Sequence, residues 1–222
     1  MHKIASRPFV INRKNDQNNH DLKYFDVTSE FTSHDLRKKK IFFTNNSKEL
    51  KSCNFFIITV PTPVKKNKSP DLSYLRLASE IVSKNLKKND VVVYESTTYP
   101  GCTEEFCIPL LEKFSQFKIN KEFYCGYSPE RINPGDNIHK LDNIEKVISS
   151  SSNLGLRIIQ NVYKYVTKKK IIKADTIKIA EGAKIIENTQ RDINIALMNE
   201  LSILFNKLDI DFSKVLKAAN TK

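Results

Sequence analysis

Apolar runs and amphipathic stretches alternate along most of this chain. Beyond about Lys40, the runs KIFFTN (40–45), NFFIITV (54–60) and DVVVYES (90–96) read as strands. The third is continuous in apolar residues, as a strand buried on both faces should be. Further strands are predicted near 122–127, 145–149 and 169–173, and an earlier one at 7–12 (RPFVIN). Between them, residues 72–86 form an amphipathic helical pattern with Leu72, Leu75, Ile81, Val82 and Leu86 toward the core. Asp71, after Pro70, is its expected N-cap. Residues 103–114 are helical in pattern with two acids in the first turn, where the helix dipole favours them, and another helix is expected near 153–166. This alternation argues for a doubly wound parallel sheet. From about Asp175 the pattern becomes one long helix to roughly Leu208, then a short one from Asp211 to Ala219. The expected division is therefore 1–175, α/β, and 176–222, helical.

Composition adds limits. A chain of 222 residues with 40% hydrophobic content, 13 Phe and 8 Tyr can bury a sizeable core. No apolar run approaches eighteen residues, so no transmembrane span is predicted. The first residues lack the apolar stretch of a secretory signal, so the expected compartment is the cytoplasm. The net charge of +12 raises the possibility of a nucleic-acid partner. The basic residues are mostly dispersed Lys, and the short clusters at 37–40, 65–68 and 168–170 fall at element ends. Neither nucleic acid nor membrane is the expected partner, although the field would attract a diphosphate. Cys53, Cys102, Cys107 and Cys125 make no metal-binding pattern, and reduced, mostly buried thiols are expected. Cys102, beside Gly101 at a helix start, has no His nearby in sequence to activate it.

The chemistry concentrates in four segments. In AEGAKIIENTQRDINIALMNE (180–200), Ile186, Ile193 and Leu197, with Ile179 and Ala183, recur at helical spacing. Lys184 and Asn188 lie four apart on one side of that helix. An ammonium and a carboxamide so placed can hold an oxygen that gains negative charge, but a solvated Lys beside a surface Asn fits the spacing too. SPERINPGD (128–136) follows a predicted strand and puts Glu130 where open α/β sheets bind ligands. VPTP (60–63) and YEST (94–97) end two other strands.

Together and in this order, the four segments resemble the UDP-glucose/GDP-mannose dehydrogenases. The likeness is strongest to the branch that oxidises UDP-N-acetylhexosamines to uronic acids, and it runs from about Lys40 to the last residue. It implies a Rossmann-like NAD-binding domain over 1–175 and a helical central domain over 176–222 whose long helix forms a homodimer interface. It also implies NAD as cofactor, a UDP-sugar as substrate and a place in surface-polysaccharide synthesis. The family oxidises a primary alcohol to a carboxylate through a cysteine adduct. In that scheme Lys184 and Asn188 stabilise the alkoxide and oxyanion, Thr97 positions a water, and Glu130 accepts a hydrogen bond from it. Arg131 and Asn133 are the expected substrate contacts; a surface ion pair is the other reading of Arg131. The resemblance has Val60, Pro61 and Thr62, with Thr97, contact the cofactor; the other reading is a rigid loop that ends a strand, since Pro61 and Pro63 both block further pairing.

Two departures temper this. The five glycines (Gly101, Gly126, Gly135, Gly155 and Gly182) form no GxGxxG turn, and Val10 stands where the family has the acid that grips the adenosine ribose. The chain also stops before the family's Gly-Gly-His-Cys nucleophile segment. The expectation is an enzyme fragment inactive by itself, with a non-catalytic remnant or dimerisation module as the alternative.

Overall fold

The structure is a computed structural model that describes residues 9–11, 42–132 and 143–221. Its contacts divide the chain into two compact units, Met1–Gly182 and Ala183–Lys222. In the first, β1 (Phe9–Ile11) pairs in parallel with β2 (Phe42–Thr44), and Val10 stands opposite Phe43. A five-stranded sheet follows in the order β3 (Phe55–Ile58), β4 (Asp90–Tyr94), β5 (Phe123–Tyr127), β6 (Lys146–Ser150) and β7 (Ile171–Lys173). Strands β3, β4 and β5 are mutually parallel. The α/β class expected from the sequence is correct, but the sheet is mixed. β6 runs antiparallel to β5, with Tyr127 opposite Ser149, and β7 is parallel to β6. A parallel neighbour needs a crossover that packs back on the sheet, commonly a helix. After Ser128–Ile132 and 143–145, the described parts of the connection, the chain re-enters the sheet running back along β5.

All five positions of β4 and of β5 are buried. Their alternation sends Val92, Tyr94 and Cys125 into a core with Leu75, Val82 and Leu111. Val91, Val93 and Tyr124 point the other way, against Ile148, Ile159 and Tyr163. Leu75 and Val82 come from helix α1 (Ser73–Ser83), and Ile159 and Tyr163 from α3 (Asn153–Tyr163). Helices thus cover both faces, which is why β4 reads as an unbroken apolar run.

Local chemistry moves several predicted boundaries. α1 begins two residues after Asp71, whose Oδ1 accepts from the Ser73 N–H at 3.0 Å, while Leu72 occupies the cap position. The expected helix over 103–114 is a π-turn, Thr103–Cys107, leading into α2 (Ile108–Ser115). Pro109 has no N–H to continue an α-helical ladder, and the Ile108 N–H reaches five residues back to the Thr103 carbonyl.

Helix α4 (Ile177–Lys207) starts in the first unit, where Ile177, Ala180 and Glu181 are buried. The apolar stripe expected from spacing lies elsewhere: Ile179, Ala183, Ile186, Ile193 and Leu197 are exposed. The second unit holds the rest of α4 and α5 (Phe212–Ala219), capped by the Asp211 carboxylate on the Ser213 and Lys214 N–H groups. Phe205 stacks on Phe212, with ring centroids 5.6 Å apart.

Candidate active site

The carboxyl ends of β3, β4 and β5 open into a cleft of about 290 Å³. Thr59, Val60, Pro61 and Thr62 line it from the β3 loop, Glu95, Ser96 and Thr97 from the β4 loop, and Glu130 from the β5 loop. Five of the sequence-predicted residues (Val60, Pro61, Thr62, Thr97 and Glu130) therefore meet in one cavity. This follows from topology, because parallel strands deliver their following loops to one edge.

Hydrogen bonds fix the loops to one another. The Thr62 hydroxyl donates to the Thr97 carbonyl at 2.6 Å, and the Ser96 hydroxyl to the Val60 carbonyl at 2.6 Å. The proton of Thr62 is thus committed to the protein, which leaves that oxygen as an acceptor toward a ligand. Thr97 itself is exposed. Glu130 Oε1 accepts from the backbone N–H groups of Arg131 (2.7 Å) and Ile132 (2.8 Å). Its Oε2 lies 3.7 Å from Lys146 Nζ. Arg131 Nη1 donates to the Glu145 carbonyl at 3.2 Å. Asn133 lies outside the described residues.

Three residues that sequence reasoning passed over support this edge. Lys146 is 1% exposed, and its ammonium sits 3.1 Å from Glu95 Oε1 and 3.3 Å from the Pro129 carbonyl. The Tyr163 hydroxyl donates to Glu95 Oε1 at 2.5 Å. Burial, and then the Glu95 carboxylate beside it, push the Tyr163 phenol well above its ordinary pKa. Glu181 is fully buried and takes four hydrogen bonds from the segment just after Thr97. They come from the Thr98 hydroxyl (3.2 Å), the Gly101 N–H (2.6 Å), and the N–H (2.9 Å) and hydroxyl (2.7 Å) of Thr103. Gly101 has φ +97°, and a Cβ there would meet Glu105 Oε1 at 2.8 Å, so this turn favours glycine. A signal existed for Glu181, which falls on the buried i, i+3, i+4 stripe begun by Ile177 and Ala180.

Lys184 and Asn188 belong to the second unit. Lys184 is 7% exposed, which excludes the solvated-lysine reading, and its ammonium lies 3.7 Å from Glu187. Glu187 also accepts from Arg191 Nη2 at 3.2 Å. Asn188 is half-buried, one turn beyond Lys184. All four cysteines are free and buried. Cys102, held below its usual pKa chiefly by a hydrogen bond from the Cys107 thiol, sits wholly inside the core. Among the described residues, no cluster of His, Cys, Asp or Glu suits a metal ion, and no helix is long and apolar enough to cross a membrane.

A mixed α/β sheet with loops from its parallel strands around a cleft is a Rossmann-like arrangement. The profile of the NAD-binding domain of the UDP-glucose/GDP-mannose dehydrogenase family matches residues 16–167, and that of its central domain matches 178–222. The chain belongs to this family. It is 52% identical over 198 residues to UDP-N-acetyl-D-glucosamine 6-dehydrogenase of Salmonella typhi, covering 89% of this chain and 47% of that protein. The same figures hold for the enzyme of that name from Pseudomonas aeruginosa. Among solved structures, UDP-D-ManNAc dehydrogenase from Pyrococcus horikoshii superposes with a TM-score of 0.78 at 33% identity, covering 85% of this chain and 44% of that one. The chain spans about half the length of the curated relatives it matches.

Proposed function

We propose that this chain serves NAD-dependent oxidation of the C6 alcohol of a UDP-N-acetylhexosamine to a carboxylate, in the cytoplasm, for surface-polysaccharide precursors. The 52% identity to two UDP-N-acetyl-D-glucosamine 6-dehydrogenases supports the substrate class. The observation that carries the reading is the meeting of Thr97 and Glu130 in one cleft at the carboxyl edge of the sheet.

The cleft residues fit the cofactor. Thr59, Val60, Ser96 and Thr97 are small, and Pro61, which has no N–H, lines the cleft with them, leaving room for a planar ring. NAD, when bound, supplies the hydride acceptor. Glu130 has one oxygen committed to two backbone N–H groups, which fixes the carboxylate plane and leaves Oε2 to accept a proton from water. Thr97 orients that water. Lys184 and Asn188 hold the substrate oxygen as it gains charge, each donor contributing roughly 3 kcal/mol to the barrier reduction. Arg131 and Asn133 contact the substrate. The exposed apolar side chains along α4, among them Ile186 and Ile193, favour a homodimer through this helix.

Calorimetric titration with NAD⁺ and UDP-N-acetylglucosamine, with NADH absorbance followed in parallel, tests this. Binding of both ligands is expected, weakened by Thr97→Ala for NAD⁺. A folded protein that binds neither ligand contradicts the proposal.

A further inference from the structure

Strand β6, which runs against β5, begins with a buried cation. Because β6 is antiparallel to β5, its first residue, Lys146, lies at the carboxyl edge of β4 and β5; in a parallel strand it would lie at the opposite edge. There the ammonium faces two carboxylates that line the cleft, Glu95 Oε1 at 3.1 Å and Glu130 Oε2 at 3.7 Å, as well as the Pro129 carbonyl at 3.3 Å. The Tyr163 ring lies beside it, 5.5 Å from Nζ to the centroid, and the Tyr163 hydroxyl holds the same Glu95 oxygen. An ion pair this buried contributes little net stability compared with an apolar replacement. A lysine with almost no exposure, whose two acids both reach an open cavity, therefore needs a reason other than packing.

We infer that Lys146 is a positioning residue of the cleft. It ties the tip of β4 to the loop after β5, so that Glu95 and Glu130 present a fixed pair of acceptors to a hydroxyl or water in the cavity. Tyr163 fixes the far side of Glu95, and the N–H groups of Arg131 and Ile132 fix the far side of Glu130. Each carboxylate is thereby held from two directions and has no free rotation about its last bond. Glu130 is the half-exposed member, so it is the one that meets ligand, and Glu95 is the nearly buried one that anchors the cation. The inference rests on the reading of this cleft as the site of alcohol oxidation, and it deepens that reading by adding the residue beneath the base.

The Arg131 and Ile132 amides report directly on Glu130, and the Ser128 amide, bonded to the Tyr94 carbonyl at 2.9 Å, is an internal control on the same loop. Amide hydrogen exchange in the 222-residue chain is compared for wild type, Lys146→Met and Lys146→Arg. Exchange at Arg131 and Ile132 should quicken by about tenfold in Lys146→Met while Ser128 stays as it was. Lys146→Arg should restore most of the protection. The Glu95→Gln/Lys146→Met double variant removes the carboxylate that Lys146→Met alone would strand, so it keeps the fold and should show the same local loss. Unchanged exchange at Arg131 and Ile132 in both Met variants, or an equal loss at Ser128, overturns the inference. Failure of wild type to bind both NAD⁺ and UDP-N-acetylglucosamine would instead refute the reading of the cleft, and the exchange comparison would still decide the role of Lys146.

Discussion

Near the start of α4 a carboxylate, Glu181, is completely buried; further along the same helix, Ile186 is 69% and Ile193 59% exposed. Hydropathy alone would reverse these positions. The difference lies in what each stretch meets within its own unit. Glu181 enters a turn that offers two N–H groups and two hydroxyls, so its desolvation is offset by four hydrogen bonds. Ile186 and Ile193 of the second unit are exposed, an arrangement suited to a partner surface. Burial therefore follows local complementarity, and one helix can be polar where it is buried and apolar where it is exposed.

Removing the Glu181 side chain should give the largest effect. Glu181→Ala strands the Gly101 and Thr103 N–H groups and should cost about 3–5 kcal/mol in urea denaturation, with Glu181→Gln recovering part. Leu111→Ala, in the core under α2, should cost about 2–5 kcal/mol by the same measurement. Ile193→Asp on the exposed stretch should change chemical stability of the separated chains by less than about 0.5 kcal/mol. It should nevertheless abolish the proposed dimer in sedimentation velocity; a variant that still dimerises would place the interface elsewhere. Smallest is Asp211→Ala at the start of α5. The Ser213 hydroxyl, and then the Lys214 N–H, hold the Asp211 carboxyl below the usual carboxylate range. A lowered folded value means the stabilisation exists above the unfolded pKa and fades as pH falls through the folded one. The melting difference between wild type and Asp211→Ala should thus be present at neutral pH and vanish in strong acid.

Much of the fold is legible in the residues. Continuous apolar runs such as DVVVYES mark buried parallel strands, and both α1 and α3 carry clear helical periodicity. The direction of β6 is not legible, because a strand's side-chain pattern is the same whichever way it runs and only pairing distinguishes the two. The π-turn at Thr103–Cys107 is likewise hidden, since acids and a proline near a helix start look favourable to an ordinary first turn. Of the candidate site, Thr97 and Glu130 were visible because they follow strands whose ends must converge. Lys146 was not, because a lysine heading a short strand reads as a solvated end, and its burial arises from Glu95, Glu130 and Tyr163, which lie far from it in sequence.

The assignment of the cleft to the cofactor can be tested by backbone amide resonances recorded with and without NAD⁺. Shifts should concentrate at Thr59, Val60 and Thr62, at Ser96 and Thr97, and at Glu130 and Arg131. Saturating NAD⁺ that leaves all three loops unperturbed, or that moves only residues of α5, would contradict it.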